Sequence, residues 1–235
     1  MKLGLRMNRK QGYLIFTICL AAAAVIAWQF PEVRYCYYQI RYDLSHKNES
    51  VEDEETVEAI LNDLETISYS ELPTTFLQIS GSDQSPFDRH LANASYYLVP
   101  VQRLPKRIVG QFRIRQLVSR DQWYRRALLG KESTVPLLLD RRILFKLLAL
   151  RKELLARGLD PDAFRLNHGH RNPQHNQTVG GASRSRHIFG EALDLQIEDI
   201  NQDGKVNRTD KQLVLTLLDQ KLLEARVALV FIPVL

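Results

Sequence analysis

A largely apolar run from Leu14 to Phe30 (LIFTICLAAAAVIAWQF), 17 positions with no charge, follows a start that carries Lys2, Arg6, Arg9 and Lys10. About 20 apolar residues span a bilayer, with a lower limit near 17. The pattern therefore predicts a basic cytoplasmic tail over 1–13 and a transmembrane anchor over 14–30. Trp28, Tyr35, Tyr37 and Tyr38 suit a membrane interface. The small residues Ala21–Ala27 keep open the alternative of a signal removed after export. Cys19 follows Ile18 rather than a small residue, so no lipid attachment is expected. Positive-inside orientation then places the chain after Phe30 outside the cytoplasm.

Farther along, Val57, Ile60, Leu61 and Leu64 recur at helical spacing within Glu52–Ser68, behind an acidic first turn that suits the helix dipole. A solvated amphipathic helix is expected there. Pro73–Leu98, rich in Ser, Gly, Asp and Asn, reads as loop, whereas Tyr96–Val101 and Ile108–Val118 alternate in part like strands. Thr134–Arg157 reads as one long helix, with Ser133 or Thr134 as cap, Pro136 in the first turn and Gly158 as the stop. Its cations Arg141, Arg142, Lys146, Arg151 and Lys152 are expected mostly on a solvated face. Ala192–Ile197 alternates like a strand. No repeats or low-complexity tracts occur.

Composition narrows the classes. In 235 residues, 45% are hydrophobic and 25% charged, which excludes wholesale disorder and a collagen-like fibre. With only Cys19 and Cys36, one of them in the apolar run, a disulfide scaffold is also excluded. The net charge of +5 is unevenly placed: residues 49–65 hold eight acids and no base, and residues 101–160 hold fifteen Lys/Arg against five Asp/Glu. That basic region lacks aromatic interleaving or a nucleic-acid motif and would lie outside the cytoplasm, so no nucleic-acid partner is expected. Charge alone suggests only an acidic partner. Asn48, Asn93, Asn176 and Asn207 begin N-x-S/T triplets, which matter only in a eukaryotic secretory route.

Candidate chemistry concentrates in Leu166–Asp194, LNHGHRNPQHNQTVGGASRSRHIFGEALD. Pro173 pushes Asn172 out of helical space and makes a turn. Gly180-Gly181 opens backbone conformations closed to other residues. His187 and Asp194, seven residues apart, are both good Zn²⁺ ligands, and catalytic zinc takes three protein ligands plus water. Taken alone, such a pair is more often two ordinary hydrogen-bonded groups.

The wider arrangement, Arg171 followed by Asn176, Val179-Gly180-Gly181 and Ser185-Arg186-His187-x-x-Gly190-x-Ala192-x-Asp194, closely resembles the zinc D-alanyl-D-alanine peptidases. These peptidoglycan enzymes share their fold with hedgehog signalling domains, and their pattern reads S-G-Y-R-x-P…N…V-G-G…S-x-H-x-x-G-x-A-x-D. The resemblance covers roughly Leu137 to Arg226. It implies that His187 and Asp194 ligate zinc, that Arg171 faces the substrate, that Ser185 is a neighbouring polar contact, and that the reaction is hydrolysis of peptidoglycan stem peptides. Two departures stand out. His168 and His170 replace the first Ser and the Tyr, and no His follows His187 to supply the third ligand expected from a later strand. His168, His170 and His175 are nearby substitutes, although the family places no ligand there.

A second motif follows at once. Asp199, Asn201, Asp203, Asn207 and Asp210 fall at positions 1, 3, 5, 9 and 12 of an EF-hand loop, with Gly204 at 6 and the Lys205 carbonyl at 7. The stretch resembles dockerin modules and predicts a structural Ca²⁺ bracing the zinc strand. The ending Val227–Leu235 is uniformly apolar where the family continues with a Gly-rich strand. Codons can be chosen that make it a shifted reading of such a strand, so a frameshift or truncation before the missing His is expected.

The expected fold is α+β, a small mainly antiparallel sheet with flanking helices behind one N-terminal transmembrane helix. Residues 31–130 would form a juxtamembrane accessory region and 131–235 the peptidase-like domain, with the calcium loop at 199–210. Two functions compete: a zinc peptidase acting on cell-wall peptides, impaired without its third His, and a non-catalytic, calcium-stabilised wall or protein binder.

Overall fold

A computed structural model describes residues 9–47, 49–221 and 228–232. The apolar run lies in helix α1 (Arg9–Ala27), and Pro31 opens helix α2 (Pro31–Ser45) at the first helical position, where its missing N–H costs nothing. Phe16–Ala27 and Pro31–Ser45 meet at 98°. No single helix among the described residues is both long and apolar enough to cross a membrane, although this bent pair passes that test together. Every side chain from Phe16 to Ile26 is exposed. The inner face of α2 is firmly held. Tyr35 is buried beneath the Arg115 guanidinium, 4.0 Å from its ring, and Glu32 and Asp43 pair with Arg115 (2.6 Å) and Arg113 (2.9 Å).

Helix α3 (Glu54–Asn62) is capped by Asp53, which accepts from Thr56 N at 2.7 Å. Its apolar stripe is not solvated, as the sequence suggested, but buries Val57, Ile60 and Leu61 in the main core, while Glu54 and Glu55 stay outside. Strand β1 (Glu65–Ser68) follows, then helices α4 (Thr74–Ser80) and α5 (Phe87–Leu91) and strand β2 (Ser95–Pro100). Two helices therefore occupy much of the stretch expected to be loop. Phe76 joins Leu72, Tyr96 and Trp123 in a second apolar cluster that the polar composition around it concealed.

Strands β3 (Arg107–Val109) and β4 (Phe112–Arg113) form a hairpin, and helices α6 (Ile114–Leu117) and α7 (Gln122–Leu128) lead to strand β5 (Thr134–Leu137). The long helix expected from Thr134 is thus corrected: its first residues pair with β2 in the antiparallel order β1-β2-β5. Thr134 and Val135 are β-branched, and Pro136 is tolerated because β5 is an edge strand. Helix α8 (Arg142–Ala156) starts only after Asp140 accepts from Arg142 N at 3.0 Å, and Gly158, at φ +70°, ends it as expected.

Arg151 is a second correction. It is 2% exposed, not solvated. Its guanidinium donates to the Pro161 carbonyl (2.8 Å), pairs with Glu52 (2.9 Å) and Asp162, and presses against Gly110. A Cβ on Gly110 would stand 2.1 Å from the Arg151 guanidinium carbon, and Gly110 has φ +51°, so glycine is required there.

The last sheet carries the site. Strands β6 (Phe164–His168) and β7 (Ala192–Ile197) are antiparallel, and β8 (Ala228–Ile232) adds to β7 in parallel. Helix α9 (Pro173–Thr178) lies between β6 and β7, and helix α10 (Arg208–Lys221) between β7 and β8. The fold is mixed α+β, with small, mainly antiparallel sheets and flanking helices. Part of the ending read as out of frame pairs with β7 through its backbone, and Val227 and residues 233–235 lie outside the described residues. One core includes Val51, Val57, Ile108 and Leu117 from 31–130 together with Ile143, Leu193 and Leu195 from 131–235.

Candidate metal centre

His187 lies in a single 3₁₀ turn, Arg186–Phe189, which begins after Ser185 and closes on Gly190 at φ +68°. A Cβ at Gly190 would stand 2.3 Å from the Leu138 carbonyl oxygen, so only glycine lets the chain turn back into β7 at this distance. Two residues into that strand comes Asp194. From the other side, the β6–α9 connection runs beneath the turn, and Arg171 N donates to the His187 carbonyl at 3.1 Å. The motif's two halves are joined by backbone as well as by side chains.

The side chains of His187, Asp194 and Arg171 converge. His187 Nδ1 donates to the Gly169 carbonyl at 2.7 Å, since a carbonyl can only accept. That bond aims Nε2 at Asp194 Oδ1, 3.0 Å away, while the Arg171 guanidinium pairs with Asp194 Oδ2. His187, Asp194 and Arg171 are 5%, 6% and 8% exposed, so little water screens them. Burial works to raise the Asp194 pKa, but the His187 hydrogen bond and the charges of His187 and Arg171 prevail and hold it below the ordinary carboxylate value.

Zn²⁺ fits this pair in donor chemistry. Two ligands at about 2.0–2.1 Å in a tetrahedral shell stand about 3.3 Å apart, close to the observed separation. Zinc-ligating histidines usually make a bond such as the one from His187 Nδ1 to a carbonyl, using the ring nitrogen that does not hold the metal. The pair is not a complete shell. Among the described residues no group of three or more His, Cys, Asp and Glu is placed to hold a metal ion.

Arg171, expected to face substrate, pairs with Asp194, and its buried Nε has no hydrogen-bond partner among the described residues. Ser185 sits half-buried at the head of the turn that presents His187. His168 is the cross-strand partner of Asp194. Burial, then the charges of Arg171 and Arg120, lower its pKa to about 4 against the opposing pull of Asp194. His170 is fully enclosed, its pKa lowered to about 3 by burial and then by His175 and His187, and its ring lies 6.2 Å from Tyr96.

His175 belongs to a network that the sequence did not reveal. Its Nδ1 lies 3.0 Å from Ser119 Oγ, which donates to Asp121 Oδ2 (3.2 Å) and accepts from Asn172 N (3.1 Å). Asp121 also accepts from the Asn172 amide and caps α7 through Tyr124 N at 3.1 Å. Asp121 just before Gln122 is a local capping signal, but no such signal marks its link to His175, over fifty residues away.

The loop 199–210 has the turn expected of it, with Gly204 at φ +82° and Gln202 at φ +57°. Its carboxylates are nevertheless engaged with backbone rather than gathered on one point. Asp199 accepts from Asp203 N (3.1 Å) and Gly204 N (2.7 Å), and Asp203 from Lys205 N (2.9 Å). Asn201 accepts from Asp203 N at 3.1 Å, and Asn207 from Thr209 N at 2.7 Å. Asp210, fully buried, accepts from Ile200 N (3.0 Å), Asn201 N (3.3 Å) and Asn207 N (2.8 Å). The loop is thus closed by side-chain-to-backbone bonds, and among the described residues no group of three or more His, Cys, Asp and Glu is gathered there.

On the outer edge of β6, a cleft of about 470 Å³ is lined by Arg113, Arg115, Arg120, Arg165 and His168, among others, with no carboxylate in its wall. Neither the curated proteins nor the solved structures yield a match to this chain. Residues 144–216, the stretch that holds Arg171, Ser185, His187 and Asp194, do match one family model, and that family is Peptidase M15.

Proposed function

We propose that this protein is a zinc metallopeptidase of the D-Ala-D-Ala carboxypeptidase type, hydrolysing peptide bonds of peptidoglycan stem peptides from an extracytoplasmic position behind a membrane anchor. The observation that carries the reading is the buried pair His187–Asp194, pre-aimed by the Gly169 carbonyl, within the segment that matches Peptidase M15. Bound there, zinc would supply Lewis acidity and a water of lowered pKa. The chain's own groups fix the imidazole, hold the carboxylate ionised and keep bulk water out. In the cleft beside His168, Arg113, Arg115 and Arg165 are already paired with Asp43, Glu32 and Glu198, which leaves Arg120 to meet an acidic group of such peptides. Calcium at 199–210 belongs to the same proposal, resting on the EF-hand order of its oxygen groups.

The incomplete ligand set and the Arg171–Asp194 pair favour a second reading, a non-catalytic wall or protein binder on the same fold. Metal analysis combined with hydrolysis of D-Ala-D-Ala peptides separates the two. The enzyme holds close to one zinc per chain, and His187→Ala lowers turnover by about 100-fold or more, because loss of mere second-shell partners already costs 10–100-fold. Wild-type protein that retains calcium but neither zinc nor hydrolysis makes it the binder.

A further inference from the structure

We infer that helix α2 is an interfacial helix lying along the surface of a lipid bilayer, so that the body sits on the membrane in one fixed orientation rather than swinging from a tether. The inference rests on the proposed anchoring through α1. Val33, Tyr37, Ile40 and Leu44 follow one another at i, i+4, i+7 and i+11, a single stripe along α2. All four are exposed, Ile40 at 55% and Leu44 at 73%. Tyr35, on the opposite side of the helix, is buried against the body, and Glu32 and Asp43 on one flank are paired with its arginines. The stripe therefore faces away from the protein, on a helix that cannot rotate to hide it.

The occupant follows from what adjoins the stripe. Trp28 and Phe30, also exposed, continue it into α1, where every side chain from Phe16 to Ile26 is uncovered. A helix apolar on all sides calls for a surrounding apolar medium, whereas a second protein chain would cover one side. A helix with one apolar stripe and polar groups beside it lies at the boundary of that medium. The 98° bend puts these two helices in the matching relation, one directed into the bilayer and the other along its surface. At the corner, Trp28 and Tyr37 meet edge to face at 5.4 Å, aromatic rings of the kind enriched at headgroup level. The exposed cations Arg41 and Lys47 suit anionic headgroups. Because Tyr35 and Gln39 of the same helix also line the arginine cleft, that cleft is held close to the membrane surface.

The two native cysteines report on the two helices separately, since both are exposed, Cys19 on α1 and Cys36 on α2. The full chain is reconstituted into vesicles of phosphatidylcholine and phosphatidylglycerol. Spin labels are placed on Cys19 (in Cys36→Ser), on Cys36 (in Cys19→Ser), and on Ile40→Cys and Leu44→Cys lacking both native cysteines. Lys205→Cys, also lacking both, is the water-exposed reference. Collision with oxygen and with a water-soluble nickel chelate gives each label's depth. The expected result is deep burial at Cys19, and labels at 36, 40 and 44 within about 5–10 Å of the headgroup boundary. If Cys19 is buried while the α2 labels match Lys205→Cys, the anchor stands and the interfacial helix is overturned. If all match the reference, the anchoring reading falls with it. Dipolar broadening between Cys36 labels on different chains, without lipid depth, would show a second copy as the occupant and also overturn the inference.

Discussion

His170 is enclosed on every side, and burial followed by the nearby His175 and His187 lowers its pKa to about 3. In the unfolded chain a histidine titrates near 6.5. Between those values the unfolded state binds the extra proton, so stability is present in full above about pH 6.5 and is lost as pH falls toward 3. One such group contributes a slope of about 1.4 kcal/mol per pH unit. Urea unfolding in the presence of chelator should show His170→Phe flattening the profile between pH 4 and 6 by about that amount. An unchanged slope would mean that His170 is not neutral in the fold. Arg151 and Gly110 make a second residue-scale case. Arg151→Ala should cost roughly 2–4 kcal/mol by stranding its partners and emptying its site. Gly110→Ala collides with the guanidinium in the wild type, but beside Arg151→Ala it retains only the strain of a positive φ, roughly 1–2 kcal/mol. A double-mutant cycle in urea should therefore be non-additive by more than about 1 kcal/mol, and simple additivity would refute the contact.

At the scale of elements, what could be read locally held. His187, Gly190 and Asp194 sit on one turn and the strand that follows it, so their meeting is written within eight consecutive residues. The β7 alternation, the stop at Gly158 and the β2 strand are likewise local. What failed depended on neighbours. Thr134–Leu137 became a strand because β2 offered an edge to pair with, and Pro136 is as acceptable there as in a helix's first turn. The α3 stripe had the right spacing, but only the packing partner decides whether such a stripe meets core or water. Arg151 lies among leucines on α8, and its three oxygen partners come from residues 52, 161 and 162. The Arg171–Asp194 pair spans 23 positions and needed the sheet to be in place.

For the whole molecule, the continuous core matters most. Val57, Ile60, Ile108, Ile114 and Leu117 from 31–130 pack in the same cluster as Leu144, Leu148, Leu193 and Leu195. Each fully buried aliphatic side chain contributes roughly 1.5–3 kcal/mol of transfer free energy, against a net stability of about 5–15 kcal/mol for a domain. Residues 131–235 expressed alone should therefore lack a cooperative thermal transition by circular dichroism, whereas removal of residues 1–30, none of whose described side chains joins that cluster, should leave one. A cooperative melt of the short fragment would show that the N-terminal half is dispensable.

Strand β7, which carries Asp194, is paired on both sides, to β6 and to β8. Backbone amides in such a central position open only with the largest unfolding units of a protein, and the mobile parts are drawn from elsewhere. The carboxylate is thus set on a strand paired along both edges. Under the proposed function, adaptation to a bound peptide would fall to the flanking turn and the long side chains around it, so differences among ligands should be felt as side-chain rearrangement and desolvation rather than as movement of the strand.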